Sequence, residues 1–217
     1  MIRLLLADDH AMVRAGLREL LSDTGDIEVI AEAASGEEVL AAIRQTGFDV
    51  LVLDMSMPGR SGIELIKLVK AERPRLRVLV LSMHSEDQYA VRALRAGASG
   101  YLTKESAPEE LLTAIRRIGA GGAYVSPETA TQLVLDNAAP GAATPHSLLS
   151  DREFQVFRMI AEGRSVSEIA ASLTLSVKTI STHKTRILQK MGASNQTDLV
   201  RYAMRHHLVD DAGTWIA

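Results

Sequence analysis

Residues 49–59 read Asp-Val-Leu-Val-Leu-Asp-Met-Ser-Met-Pro-Gly, DVLVLDMSMPG. Val50 to Leu53 is an unbroken apolar run, the pattern of a strand covered on both faces of a parallel sheet. The run ends on a carboxylate, Asp54, and the loop behind it is punctuated by Pro58-Gly59 and Ser61-Gly62, the chemistry of a tight turn before a helix. Why a buried strand ends on a charge is decided by what the rest of the chain brings beside it.

Four further apolar runs flank this one: Ile2–Ala7, Ile27–Glu32, Val78–Leu81 and Gly100–Leu102. Between them lie stretches with apolar residues at helical spacing, such as Val13, Leu17, Leu20 and Leu21, and a last one carries Leu111, Leu112, Ile115 and Ile118. Strand–helix alternation at this spacing predicts βαβ crossovers and an α/β fold, a parallel sheet with helices on both faces. Ligands of such sheets gather at the carboxyl ends of the strands. The polar residues stand at those ends: Asp8 and Asp9 after the first run, Asp54 after the third, Ser82 after the fourth and Lys104 after the fifth. Converging carboxylates repel one another, and a hard divalent cation with oxygen ligands, Mg²⁺, relieves the repulsion. With one lysine and one hydroxyl the cluster suits a transferred phosphoryl group: Asp54 as nucleophile, Mg²⁺ and Lys104 neutralising the oxygens, Ser82 hydrogen-bonding to them.

The segments ADDH, LVLDMSMPGRSG, VLVLSMHS and GASGYLTKES, in this order, resemble the receiver domain of bacterial two-component response regulators over residues 1–119. The resemblance implies a flavodoxin-like, five-stranded doubly wound sheet with Asp54 as phosphoacceptor and a sensor histidine kinase as donor. It implies Mg²⁺ on Asp9, Asp54 and the backbone carbonyl of Ser56, with Asp8 nearby, Ser82 and Tyr101 as the switch pair and Lys104 as the lysine of the pattern. Ser56 and His84, two residues beyond Asp54 and Ser82, are expected to tune the lifetime of the phosphoryl group.

Residues 120–146 change character. GAGGAYVSPETATQLVLDNAAPGAATPH opens on a Gly-rich turn, allows a short helix over 127–136 with Ser126 as N-cap, and ends as a flexible tether from Ala138 to His146. Residues 147–210 then read as all-α, with four helices, and 211–217 as a tail. Leu149, Val156, Phe157, Ile160 and Ala161 line a first helix, capped by Ser150 or Asp151 and closed by Gly163; Ser165 opens a second over 166–173. A turn precedes a third, from Val177 to Met191, and NQTDLVRYAMRHHL forms a fourth. In the third, Ile180, His183, Ile187 and Met191 form an inward stripe, while Lys178, Ser181, Thr182, Thr185 and Gln189 form a polar one. This helix has four bases and no acid, and short hydroxyls flanked by bases suit base edges and phosphates of double-stranded DNA. Two helices joined by a tight turn, the second so equipped, form a helix-turn-helix.

LSDREFQVFRMIAEGRSVSEIAASLTLSVKTISTHKTRILQKMGASNQTDLVRYA resembles the LuxR-type DNA-binding domain, and the two halves together resemble a NarL/FixJ-type response regulator. That resemblance makes the third helix the reading helix. Ser181, Thr182 and Thr185 face the bases, Lys178, Thr179 and Lys184 face phosphates or the groove edge, and His183 packs in the core. Phe154 departs from the polar residue common at its position and predicts an extra packing contact. The family commonly forms homodimers, and Leu199, Tyr202 and Ala203 offer an apolar face on the last helix; RNA polymerase is a further expected partner.

Bulk properties agree. Leu149–Asp210 holds nine Lys/Arg and six Asp/Glu, net +3; the other residues hold 15 and 21, net −6; together they give the −3 of the whole chain. An acidic module joined to a basic one suits two partners of opposite charge. Cysteine is absent, which removes disulfides and thiolate metal sites. Leu4–Ala7 is too brief for a signal-peptide core, and no apolar stretch approaches the roughly 20 residues of a membrane helix, so a cytoplasmic protein with no membrane partner is expected. The expectation is a regulator rather than an enzyme. A haloacid-dehalogenase-type phosphatase would also use a strand-end aspartate with Mg²⁺, but it wants an acid where Ser56 stands and leaves the basic module without a task. A regulator acting through protein contacts without phosphorylation leaves the full acidic cluster unexplained.

Overall fold

The computed structural model describes residues 1–57, 62–82, 87–127, 129–131, 144–206 and 208–209, without the side chains of Asp87, Gln88, Ser147 and Asp151. Five parallel strands form one sheet: β1 (Ile2–Ala7), β2 (Ile27–Ala33), β3 (Val50–Asp54), β4 (Arg77–Ser82) and β5 (Gly100–Thr103). Helices α1 (Ala11–Ser22), α2 (Gly36–Gln45), α3 (Gly62–Glu72), α4 (Asp87–Arg95) and α5 (Pro108–Gly119) alternate with them. The strand order is β2-β1-β3-β4-β5, so the chain first winds to one side of β1 and then to the other. The switch point of this doubly wound sheet lies between β1 and β3.

The pleat explains why β3 is apolar throughout. Val50 and Val52 pack with Leu4, Leu6, Leu79, Leu81 and the inner faces of α1 and α5 in one core. Leu51 and Leu53 have the opposite parity and are also fully buried, on the side of α2 and α3, where Val39, Ile43, Leu65 and Ile66 lie. Asp54, the next residue of the Val50–Val52 parity, therefore ends the strand inside a covered sheet.

Register then assembles the carboxyl edge. Ala7 pairs with Leu53, so Asp8 and Asp54 become neighbours across the switch point. Asp54 pairs with Leu81 and Ser82 with Thr103, and the Lys104 N–H donates to the Ser82 carbonyl at 2.6 Å. After α5 the backbone returns to the sheet: Tyr124 bridges Gly100, its carbonyl accepting from the Tyr101 N–H and its N–H donating to the Ser99 carbonyl. The backbone is helical at 127 and 129–131, and the Ser126 hydroxyl accepts from the Thr129 N–H, as a helix start there requires. The remainder of the helix expected over 127–136, most of the tether, the turn at 58–61, His84 and the tail fall outside the described residues.

The chain divides into two compact units, residues 1–134 and 135–217. The second is helical: a 3₁₀ turn (Pro145–Leu148), α6 (Asp151–Ala161), α7 (Val166–Ser172), α8 (Val177–Met191) and α9 (Gln196–Arg205). Ser150 and Ser165 each close a capping box, with Glu153 and Glu168; Ser176 and Asn195 accept from the Thr179 and Asp198 N–H groups. Gly163 and Gly192 end α6 and α8 with positive φ. The Ser150 box is further tied by Glu153, which is buried and meets the Lys190 ammonium of α8 at 2.6 Å. Ser150→Ala is expected to cost about 1 kcal/mol, read by urea denaturation.

Three features differ from the sequence reading. His146, expected at the end of the tether, is buried; its Nδ1 is 2.7 Å from the Tyr202 hydroxyl and its Nε2 3.0 Å from Thr144 Oγ1. α6 is buried on nearly every side rather than along one stripe, because α7, α8 and α9 surround it. Leu199 and Ala203, offered as a face for a second copy, are fully buried within the unit, where α9 packs on α6. Phe154 makes the extra contact expected of it, fully buried with its ring 6.2 Å from Phe157 and 6.4 Å from His146.

Candidate functional site

At the carboxyl edge the chain brings together Asp8, Asp9, Asp54 and Lys104. Asp8 and Asp54 are 1% exposed, because β1 and β3 deliver them between the helices on either face. Lys104 reaches in from the turn behind β5, its ammonium 2.6 Å from Asp8 Oδ2 and 3.2 Å from Asp54 Oδ2. Asp9 is the outer member, its side chain 31% exposed. The Ser56 N–H donates to Asp54 Oδ1 at 3.3 Å, fixing the loop to the carboxylate. Ser82, fully buried, ends β4, and Tyr101 is buried on β5 beside it.

Burial pushes the Asp54 carboxyl above its ordinary value; the Lys104 charge pulls it back and the Asp8 carboxylate pushes it up again, for a net rise. Burial also works against the Lys104 charge, but its close contacts with the Asp8 and Asp54 carboxylates outweigh it and hold the ammonium above the usual lysine range. Three carboxylates against one ammonium leave two negative charges, the charge of one divalent cation. Asp8 Oδ2 and Asp54 Oδ2 are buried oxygens that accept no hydrogen bond of normal geometry among the described residues. One ligand atom from each of Asp8, Asp9, His10 and Asp54 lies within 4.8 Å of the others. The three carboxylates of this group, with Asp9 exposed for entry, are hard oxygen donors that fit Mg²⁺.

Two residues at this edge escaped the sequence reading. The His10 ring lies 2.9 Å from Asp9 Oδ1 and 3.3 Å from Asp8 Oδ1, and the His10 backbone N–H donates to Asp8 Oδ1 at 2.8 Å. Arg14, one turn into α1, donates to the Asp8 carbonyl. The motif ADDH carried the first signal; the second stands six residues beyond Asp8, on α1, and sequence alone did not connect it to the site.

On α8, Lys178, Ser181, Thr182 and Thr185 are exposed, whereas Thr179 and Lys184 are half-buried. Thr179 belongs to the cap, its hydroxyl 2.7 Å from Ser176 Oγ, and Lys184 Nζ donates to Gln196 Oε1 at 2.6 Å. Ser181, Thr182 and Thr185 each donate their hydroxyl to the carbonyl four residues back. Their outward lone pairs then accept, which suits amino donors of cytosine or adenine, and the threonine methyls suit the thymine methyl. Val177, 51% exposed, begins the face of Ser181 and Thr185 and adds an apolar side chain to it that the polar-stripe reading passed over. Ile180, Ile187 and Met191 are buried as expected, but His183 is half-buried, with a buried Nδ1 that has no hydrogen-bond partner among the described residues. Burial, then the nearby Arg152 charge, pushes the His183 pKa down. A histidine kept neutral in the fold stabilises fully above the unfolded value of 6.5, and that stability is lost as pH falls toward the lower folded value. Wild type is therefore expected to lose stability below pH 6.5 relative to His183→Leu in urea titrations.

A doubly wound parallel sheet with an acidic pocket and a lysine at its carboxyl edge, followed by a helix-turn-helix, is the arrangement of a receiver-type signalling domain joined to a DNA-binding domain. Residues 4–116 match the response regulator receiver domain family, and residues 147–203 match the bacterial regulatory proteins of the luxR family. Response regulator UvrY of Escherichia coli strain K12 is 37% identical over 209 residues, 96% of each chain. Response regulator GacA of Pseudomonas protegens is 39% identical over 210 residues, 97% of this chain and 99% of that one. Among solved structures, RcsB of Salmonella enterica serovar Typhimurium bound to promoter DNA with the phosphomimetic BeF₃⁻ is similar at TM-score 0.66 and 31% identity, covering 93% of this chain and 97% of that one. A Salmonella typhimurium RcsB structure concerned with DNA interaction reaches TM-score 0.71 at 31% identity, covering 94% and 97%. The chain belongs to the two-component response regulators with a LuxR-type DNA-binding domain. Among the described residues no helix is long and apolar enough to cross a membrane.

Proposed function

We propose that this regulator is switched by phosphorylation of Asp54 and reads a two-half-site operator as a dimer. The observation that carries the reading is the pair of buried carboxylates, Asp8 and Asp54, held 2.6 and 3.2 Å from one ammonium. A histidine kinase supplies the phosphoryl group. Asp54 Oδ attacks phosphorus, the P–N bond to the donor imidazole breaks, and the imidazole leaves. Asp9, Asp54 and the Ser56 carbonyl would hold Mg²⁺, with Asp8 beside them, and the bound cation would supply positive charge to offset that of the transferred oxygens. Lys104 neutralises it from the opposite side, moving from Asp8 toward the phosphoryl group. Ser82 donates its hydroxyl to a phosphoryl oxygen, and Tyr101 follows into the space Ser82 leaves. The chemistry ends on the protein's own carboxylate, which makes the chain a substrate of its kinase.

In the DNA-binding unit, α8 enters the major groove, with Ser181, Thr182 and Thr185 on base edges and Lys178, Thr179 and Lys184 on phosphates. Lys184 must first release Gln196. Dimerisation places two such helices on half-sites roughly 34–36 Å apart; RNA polymerase is the partner at the promoter.

The test treats wild type and Asp54→Asn with acetyl phosphate and Mg²⁺, then measures binding to the promoter of its own operon and mass by light scattering. Wild type is expected to gain affinity and mass, Asp54→Asn neither; equal values in all states would overturn phosphorylation control. Thr182→Ala with Thr185→Ala is expected to lose about 1–3 kcal/mol of discrimination per base contact while keeping non-specific binding. Unchanged specificity would remove α8 from the reading role.

A further inference from the structure

The amino edge of the sheet, opposite Asp54, carries a cleft of about 660 Å³ lined by Phe48, Asp49, Arg73, Arg75, Arg77 and Gly119 among others. Its volume falls inside the range of roughly 300–1,000 Å³ typical of small-molecule sites. Five steps along β3 separate Asp49 from Asp54, about 16 Å at a strand's rise.

The acids of the cleft are already committed. Asp49 Oδ2 accepts from the Arg3 N–H, and Glu72 takes the Arg44 guanidinium. Bases often gather at this edge because helices end here and their last carbonyls attract cations. Arg73 does that, its Nε donating to the Ile43 carbonyl near the end of α2 at 2.8 Å, while Lys70 Nζ is taken up by the Pro74 and Leu76 carbonyls of the loop before β4. Arg75 and Arg77 do not. Neither guanidinium has a hydrogen bond or an acid partner among the described residues, and both residues are exposed. Arg3 Nη1 points at the same place, 3.7 Å from where a Cβ on Gly47 of the lining would stand. The bases also crowd one another, since burial and then the Arg77 charge push the Lys70 pKa down. Phe48, half-buried, supplies an aromatic ring to the same lining. Uncompensated guanidiniums beside an aromatic ring suit a ligand with a phosphate at one end and a planar ring at the other.

We propose that this cleft binds a nucleoside phosphate, its phosphate on Arg75 and Arg77 and its base against Phe48, as an input separate from Asp54. The test is calorimetric titration of the full-length protein in EDTA, which keeps the acidic edge out of play, with AMP, GMP, ribose 5-phosphate and inorganic phosphate as probes. One nucleotide or both should bind saturably, and ribose 5-phosphate and inorganic phosphate about ten-fold more weakly or worse. Arg75→Ala with Arg77→Ala should weaken the nucleotide at least about ten-fold at an unchanged melting temperature, because both side chains lie on the surface. Asp54→Asn should bind like wild type. Absence of saturable nucleotide binding, equal affinity for ribose 5-phosphate, equal affinity of the double variant, or loss of binding in Asp54→Asn would each overturn the proposal.

Discussion

Lys104→Met is expected to cost the receiver about 3–5 kcal/mol at neutral pH in metal-free buffer, because removing one member of a buried ion pair leaves the other charges uncompensated. Here two such charges remain, on Asp8 and Asp54, with side chains 2% and 1% exposed. The pH dependence has a definite sign. Burial already holds the Asp54 pKa above 3.8, so its protonated form stabilises the fold and that contribution is lost as pH rises through the folded value. Lys104 limits this rise; without it the folded value climbs further, and the deficit of the variant grows with pH. It should shrink toward the acid end, near about pH 4, where the carboxylates take protons in both states. Added Mg²⁺ should restore much of the loss, since a cation binding only the folded state stabilises it in proportion to its saturation. Lys104→Arg, which keeps the charge but not the shape, should lie between. Urea denaturation of the three proteins at neutral and acid pH, with EDTA or Mg²⁺, reads all of this. A deficit independent of pH would mean that Lys104 acts through packing alone.

The parts of this site were legible because their signals are local. An apolar run ending on Asp54, or a Ser82 after VLVL, needs no knowledge of neighbouring strands. That Asp8 stands beside Asp54 was readable only through the expected topology, and its burial follows from the Ala7–Leu53 register. What stayed hidden depends on partners far along the chain. His146 follows an Ala-, Thr- and Pro-rich stretch that reads as tether, yet its partner Tyr202 lies 56 residues on. The apolar face of α9 was visible as a periodicity, but periodicity says which residues seek cover and not which element supplies it; α6 does. The exposed hydroxyls of α8 were legible as residue types, whereas their donation to the carbonyls four residues back, which turns them into acceptors, depends on the fold.

Gly100→Ala is expected to destabilise the receiver by about 3 kcal/mol, at the upper end of ordinary overpacking. An added Cβ would stand 2.6 Å from the Tyr124 carbonyl oxygen, 2.7 Å from Ile118 Cδ1 and 3.2 Å from Leu79 Cδ1. The isoleucine can rotate aside, but the carbonyl is held by the Tyr101 N–H at 3.1 Å, and Tyr124 is anchored again through its N–H to Ser99 and its hydroxyl to Glu110. Relief therefore requires the backbone after α5 to leave β5, and the amides of Tyr101 and Tyr124 should lose protection from hydrogen exchange together. Gly16→Ala is the matched control: it lies within α1 with nothing within 4 Å of the added Cβ, and should stabilise by up to about 1 kcal/mol. Asp54 lies at the far end of the sheet, so Gly100→Ala should still accept phosphate from acetyl phosphate while responding to it less in DNA affinity. The reason is the bond itself: the strand that carries Tyr101 grips, through two backbone hydrogen bonds, the first residues of the segment that continues toward the DNA-binding unit. Full stability, or separate exchange of the two amides, would show that the grip does not exist.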